Sequence, residues 1–139
     1  MDRVLIVSGS DNATAAIAGL IREAFPNCSQ SVISNGSEAR RAAAEKTYDA
    51  VIINCPLKDE FGNELAEHIT ATTNASCVMI VRAENCEQVG ERMEDLGVIV
   101  IAKPLSKQIF YQSLKFINAS RKRMLGLQNE NIKLHKRLE

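Results

Sequence analysis

The chain has 139 residues, 45% apolar and 24% charged, with 17 basic and 17 acidic side chains and no net charge. That length suits one domain with a sizeable core, and the composition is that of a globular protein, not a disordered tail. No apolar run approaches the ~20 residues of a membrane span. The opening "MDRVLIVSGS" has too short an apolar run, and an acidic residue too early, for a signal peptide. The cytosol is the expected location, with no membrane partner.

The zero balance hides an asymmetry. Residues 118–139 carry six basic and two acidic side chains, leaving a net −4 on the preceding 117 residues. A mildly acidic body with a basic tail implies two segments with different tasks. Tryptophan is absent and aromatics make up 4%, so the core must be built from Ala, Val, Ile and Leu. Cys28, Cys55, Cys77 and Cys86 show no CxxC or other metal-ligand spacing. In a reducing compartment they read as small buried apolar residues, with no disulfide and no metal expected.

In chain order, five short, β-branched and nearly continuous apolar runs stand out: "RVLIV" (3–7), "SVIS" (31–34), "DAVIIN" (49–54), "CVMIV" (77–81) and "VIVIA" (98–102). Strands of a parallel sheet covered on both faces look like this. Helical patterns fill the gaps. The first, 11–25, has Ser10 or Asp11 as N-cap, an apolar stripe of Ile17, Leu20, Ile21 and Phe25, and a stop before Pro26. The second, 37–46, has Ser37 as its N-cap. The third, 62–73, presents Leu65 and Ile69, and the weakest, 85–96, presents Val89, Met93 and Leu96. Five β-α repeats with right-handed crossovers predict a doubly wound α/β sandwich. Ligands and chemistry in such folds collect at the carboxyl ends of the strands. The residues there are Ser8, Gly9 and Ser10, then Asn54, Arg82 and Lys103.

Five ordered strands, Asn54 eight residues before Gly62, and Lys103-Pro104 after the last strand together resemble the receiver domain of bacterial response regulators over residues 1 to about 118. The resemblance implies a flavodoxin-like, five-stranded parallel sheet of order 2-1-3-4-5. It also implies an acidic pair for Mg²⁺ after strand one, an aspartate nucleophile after strand three, a hydroxyl residue after strand four and a lysine after strand five. Here the acidic pair maps onto Ser8 and Gly9, the phosphoacceptor onto Asn54 and the switch hydroxyl onto Arg82; only Lys103 matches. Phosphoryl transfer needs an attacking carboxylate oxygen and a hard cation held by oxygen anions. An amide, a hydroxyl and a glycine bring no charge, so aspartyl-phosphate chemistry, bound metal and any cofactor are expected to be absent. Asp59 and Glu60 in the next loop read as a solvated turn rather than as substitute acceptors. Lys103 is expected to brace the Asn54 side-chain oxygen or loop carbonyls; Arg82 either reaches Asp59 or Glu60 across the mouth or points to water and pairs with nothing. The resemblance further implies a cis Lys103-Pro104 bond. A different class of function, an anion or acidic-metabolite sensor, would use Arg82 and Lys103 with the backbone of the Ser8–Asp11 turn.

From Lys107 no proline interrupts the helical pattern, which at 1.5 Å per residue would run about 50 Å. Ile109, Phe110, Leu114 and Ile117 are expected on the sheet. A seven-residue register then places Ile117, Met124, Asn131 and Leu138 at one seam position, and Ser120, Leu127 and Leu134 at the other. An apolar seam with a single Asn predicts a coiled-coil homodimer. Residues 119–139 thus read as a helical extension. A degenerate receiver running without a linker into such a helix resembles the front half of ANTAR-type antitermination regulators. That resemblance implies a non-enzymatic signalling and dimerisation domain, with a partner protein on its surface and RNA bound only through a module that would follow. The seam stops abruptly at Leu138-Glu139, which reads as truncation.

Overall fold

The computed structural model describes residues 1–138, with side chains through Leu127. The elements in order are β1 (Arg3–Val7), α1 (Asp11–Ala24), β2 (Ser29–Ile33), α2 (Gly36–Glu45), β3 (Ala50–Asn54), α3 (Asn63–Thr72), β4 (Ser76–Val81), α4 (Ala83–Met93), a 3₁₀ turn (Glu94–Leu96), β5 (Ile99–Ala102) and α5 (Lys107–Leu138). The sheet is parallel throughout and its order is β2-β1-β3-β4-β5. This is the flavodoxin-like α/β architecture expected from the alternating runs.

Strand periodicity divides the core into two layers. Val4, Ile6, Ala50, Ile52, Val78, Ile80 and Ile101 face α1 and α5, where they meet Ile17, Ile21, Phe110, Leu114 and Ile117. Leu5, Val7, Val51, Ile53, Cys77, Met79 and Val81 face α2, α3 and α4, where they meet Ala39, Leu65, Ala66, Ile69, Val89 and Met93. All five residues of β3 are buried, which is why that run is apolar without alternation. The edge strand β2 differs: it starts two residues earlier than the apolar run, takes in Ser29 and Gln30, and leaves Val32 exposed.

Local chemistry sets the helix boundaries. The Ser10 hydroxyl accepts from the Ala13 amide and opens α1, as expected. α2 opens one residue earlier than expected, because Asn35, in extended backbone, caps the Glu38 amide at 2.9 Å and leaves Ser37 inside the helix. α4 starts at Ala83 and stops at Met93; Leu96 sits on the 3₁₀ turn, 42% exposed, and so drops off the apolar face assigned to it. Gly97 ends that turn with φ 69°, a left-handed conformation that glycine adopts without steric cost.

α5 is fastened at the amino end of the sheet. Arg121 lies 3.5 Å from the Asp49 carboxylate and donates to the Asn74 carbonyl at 2.6 Å. Asp49 also accepts from the Asp2 and Arg3 amides at 2.7 and 2.9 Å, and the Met1 ammonium donates to Asn118. Burial pushes the Asp49 carboxyl up, but the Arg3 and Asp2 amides and then Arg121 outweigh it and hold it below its ordinary value. A folded-state value below the unfolded ~3.9 contributes stability that is present above about pH 4 and lost as pH falls through the folded value. Asp49→Asn should therefore cost roughly 1–2 kcal/mol at pH 7. Urea titrations should show the gap between variant and wild type closing as pH drops toward 3.

Candidate functional site

β1 and β3 are neighbours in register, Val4 opposite Ala50 through Val7 opposite Ile53. Their carboxyl ends therefore bring Ser8 and Asn54 together. Both side chains are buried, Ser8 at 4% and Asn54 at 5% exposure. The Asn54 Nδ2 donates to Ser8 Oγ at 3.2 Å. Ser8 Oγ in turn donates to the Ser10 carbonyl at 3.2 Å and accepts from the Ser10 amide at 3.3 Å. The Ser10 carbonyl also receives the Thr14 hydroxyl at 2.7 Å. The mouth of the sheet is thus a closed chain of neutral hydrogen bonds running from β3 to the start of α1.

Gly9, half-buried in that turn, lies under the stem of Lys58. A methyl group placed on it would come within 3.1 Å of Lys58 Cγ. Lys58 drew no attention in the sequence, because nothing in its spacing shows that the β3–α3 loop folds back over β1.

Lys103 stands at the end of β5, with its amide on the Val81 carbonyl at 2.7 Å. Its ammonium donates to the Cys55 carbonyl at 2.7 Å, the second of the two partners expected for it. The Lys103-Pro104 bond is cis, as the resemblance implied, and so is Cys55-Pro56, which was not foreseen. The Cys55 thiol is fully buried, and burial pushes it up to about 12. Cys77 behaves likewise, while Cys28 and Cys86 are half-buried; all four are free.

Arg82 takes the solvent-facing one of its two expected placements. Its side chain is 65% exposed, and its ion-pair partner is Glu84 of the same helix at 4.0 Å. It does not reach Asp59 or Glu60 because α2 has taken both. Asp59 accepts from the Gly36 and Ser37 amides at 2.9 and 3.1 Å, and Glu60 pairs with Arg40 at 2.5 Å. Asp59 is exposed in a turn, as the sequence suggested, but both acids are engaged by α2, and Glu60 is half-buried. With Arg82 turned to solvent and the Lys103 ammonium engaged by a carbonyl, the anion-sensor alternative gains no support from either side chain.

Among the described residues no three His, Cys, Asp or Glu side chains gather as metal ligands. None of their helices is long and apolar enough to cross a membrane. The seam residues separate. Ile117 is 4% exposed, because it lies on the same helix face as Phe110 and Leu114 and joins the α1–α5 core layer, so it is not free to open a seam. Met124 and Leu127 are 58% and 48% exposed. Asn131, Leu134 and Leu138 lie outside the residues whose side chains are described.

No family model and no curated relative matches the chain. Solved structures do. A two-component response regulator from Clostridium difficile superposes with TM-score 0.75 at 23% identity, over 86% of this chain and 97% of that one. A member of a family of redox sensors in the streptococci, evolved from two-component response regulators, gives TM-score 0.75 at 19% identity over 89% of this chain and 54% of its own. The receiver domain of a Pseudomonas aeruginosa sensor histidine kinase, solved with magnesium coordinated in its active-site cleft, gives 0.69 at 20% identity over 84% and 98%. These likenesses establish the receiver-type fold.

Gly62 fixes the end of the loop beside this site. It has φ 128°, and a Cβ there would lie 2.8 Å from Cys55 Sγ and 3.0 Å from Ile53 Cγ2. Gly62→Ala should cost about 2–4 kcal/mol from combined backbone and overpacking strain, measured as a drop in the urea midpoint.

Proposed function

We propose that the chain is a non-catalytic pseudo-receiver, a signalling and dimerisation domain that works in the cytosol without aspartyl phosphorylation. The observation that carries this reading is the neutral mouth. Where a receiver needs a carboxylate nucleophile, Asn54 donates its amide to Ser8 Oγ at 3.2 Å. An amide nitrogen engaged as a donor is no attacking group, and neither Ser8 nor Gly9 brings an anionic oxygen for a hard cation. Asp59 and Glu60, the nearest acids in the following loop, are held by α2 and are not free to substitute. The streptococcal redox sensors, described as evolved from response regulators, are a precedent for this fold in a different signalling role.

Signal output in this reading goes through protein association. α5 continues unbroken from the body to Leu138. Five of the seven large apolar side chains that the described residues expose lie on it: Ile109, Phe116, Met124, Leu125 and Leu127. A helix dressed this way supports pairing with a second copy along Met124 and Leu127, with Asn131, Leu134 and Leu138 continuing the register in the sequence. The same layout supports an ANTAR-type antitermination regulator, in which RNA would be bound by a module beyond this domain and a partner protein would use the receiver surface.

Two measurements test the reading. After incubation with acetyl phosphate and Mg²⁺, intact-mass spectrometry should show no species heavier by a phosphoryl group; such a species would end the pseudo-receiver reading. Light scattering at tens of micromolar should give a dimer mass for wild type and a monomer mass for Leu127→Glu, with the fold unchanged by circular dichroism. A monomeric wild type would remove the dimerisation role and leave the phosphorylation result standing.

A further inference from the structure

We infer that the loop joining β3 to α3 is a strap fastened to α2, which keeps the mouth of the sheet in a single closed arrangement. The inference concerns the loop and does not depend on whether the site accepts phosphate.

Three contacts make the fastening, one through Asp59 and two through the Glu60 carboxylate. The first is a helix cap supplied from another element. The opening N–H groups of a helix have no partner within it. α2 fills the Glu38 amide from its own Asn35, but the Gly36 and Ser37 amides are filled by the two carboxylate oxygens of Asp59, at 2.9 and 3.1 Å. The Gly36 amide and then burial act on that carboxyl in opposite senses, and the hydrogen bonds prevail, holding it below its ordinary value. A negative charge at the positive end of α2 is favourable in its own right.

The second contact is a fork. Arg40, one turn into α2, donates through Nη1 and Nη2 to the two Glu60 oxygens at 2.5 and 3.1 Å. Bidentate guanidinium–carboxylate pairs are the geometrically most demanding of the ion pairs. The third contact is steric. Gly36 is buried, and a methyl group on it would overlap the Glu60 carboxylate, so a side chain there would push that carboxylate from its present place.

The loop is shaped to deliver both acids together. The Leu57 amide donates to the Glu60 carbonyl at 2.8 Å, closing a turn whose outer corners are Lys58 and Asp59. The Leu57 side chain is 7% exposed and anchors the turn in the core. Fastened in this way, the turn carries the Lys58 stem across Gly9. One strap therefore joins α2, the end of β3 and the turn after β1.

Hydrogen exchange on the full chain tests the strap, reading the amides of 36–37 and 57–62 against the core amides of β3 and β4 as an internal reference. In wild type the Gly36, Ser37 and Leu57 amides should be protected well beyond free-peptide rates. Glu60→Gln and Arg40→Gln should each speed exchange across 57–62 by tenfold or more and leave the core amides unchanged. Gly36→Ala removes no charge and should give the same local signature by displacing Glu60. Wild-type loop amides exchanging at free-peptide rates would overturn the inference. So would variants whose loop amides keep the wild-type rate or accelerate only in step with the core. Lys58→Ala should leave the protection at 36–37 intact, since Lys58 is carried by the strap and does not fasten it.

Discussion

The hydrogen bond from Asn54 to Ser8 is the side-chain contact that joins the carboxyl ends of the two central strands. β1 and β3 run side by side at the centre of the sheet with a helical layer on each face, so whatever their last residues carry is largely removed from water. A buried polar group there must find its partner in place, and a buried charge must find a counter-charge as well. The amide and the hydroxyl meet that demand between themselves and pass the bond on to the Ser10 backbone. A carboxylate at either position would call for a counter-charge; the nearby ammonium of Lys103 is already on the Cys55 carbonyl, and the Lys58 stem crosses Gly9.

Much of this arrangement was legible before the coordinates, because it depends on short-range patterns. β1, β3 and β5 fall within a residue of their apolar runs, since a strand covered on both faces has to be apolar at every position. Ser10 capping α1 and Lys103 closing β5 follow from local spacing in the same way. The misses share another cause. Asp59, Glu60 and Arg40 are 19–20 residues apart across two elements, and no local pattern says that a loop acid will cap a helix it does not precede. β2 was set two residues late because an edge strand, wet on one side, tolerates Ser29 and Gln30. Ile117 was assigned to two places at once; a seven-residue register and a core-facing stripe overlap where a helix leaves its domain, and only packing decides between them.

Several acidic side chains of the body join elements that are distant in the chain. Asp49 ties the amino ends of β1 and β3 to α5 through two amides and Arg121. Asp59 and Glu60 tie the opposite end to α2. Glu23 ties α1 to α5 through Lys107 at 3.0 Å and through the Tyr111 hydroxyl. At Asp49, Asp59 and Glu60 the partners are backbone amides or a guanidinium, which makes those contacts worth more than an exposed ion pair such as Glu23–Lys107.

α5 brings these ties together with the outward face. Its first turns are committed to the body: Phe110, Leu114 and Ile117 lie in the core, and Arg121 makes the final polar contact, to Asp49 and Asn74. One turn later the pattern inverts, and Met124, Leu125 and Leu127 all face solvent. Leaving three large apolar side chains in water forgoes about 25 cal/mol for each Å² that burial would have gained, and isolated exposed residues of this kind are ordinary. Three within four positions, on a helix whose direction is fixed by an ion pair immediately before them, are a different matter. The anchor at Arg121 gives the emerging helix a defined axis relative to the sheet, so anything that pairs with it inherits that axis. The direction in which α5 presents its apolar face is thus set by the same contacts that seat its first turns on the body.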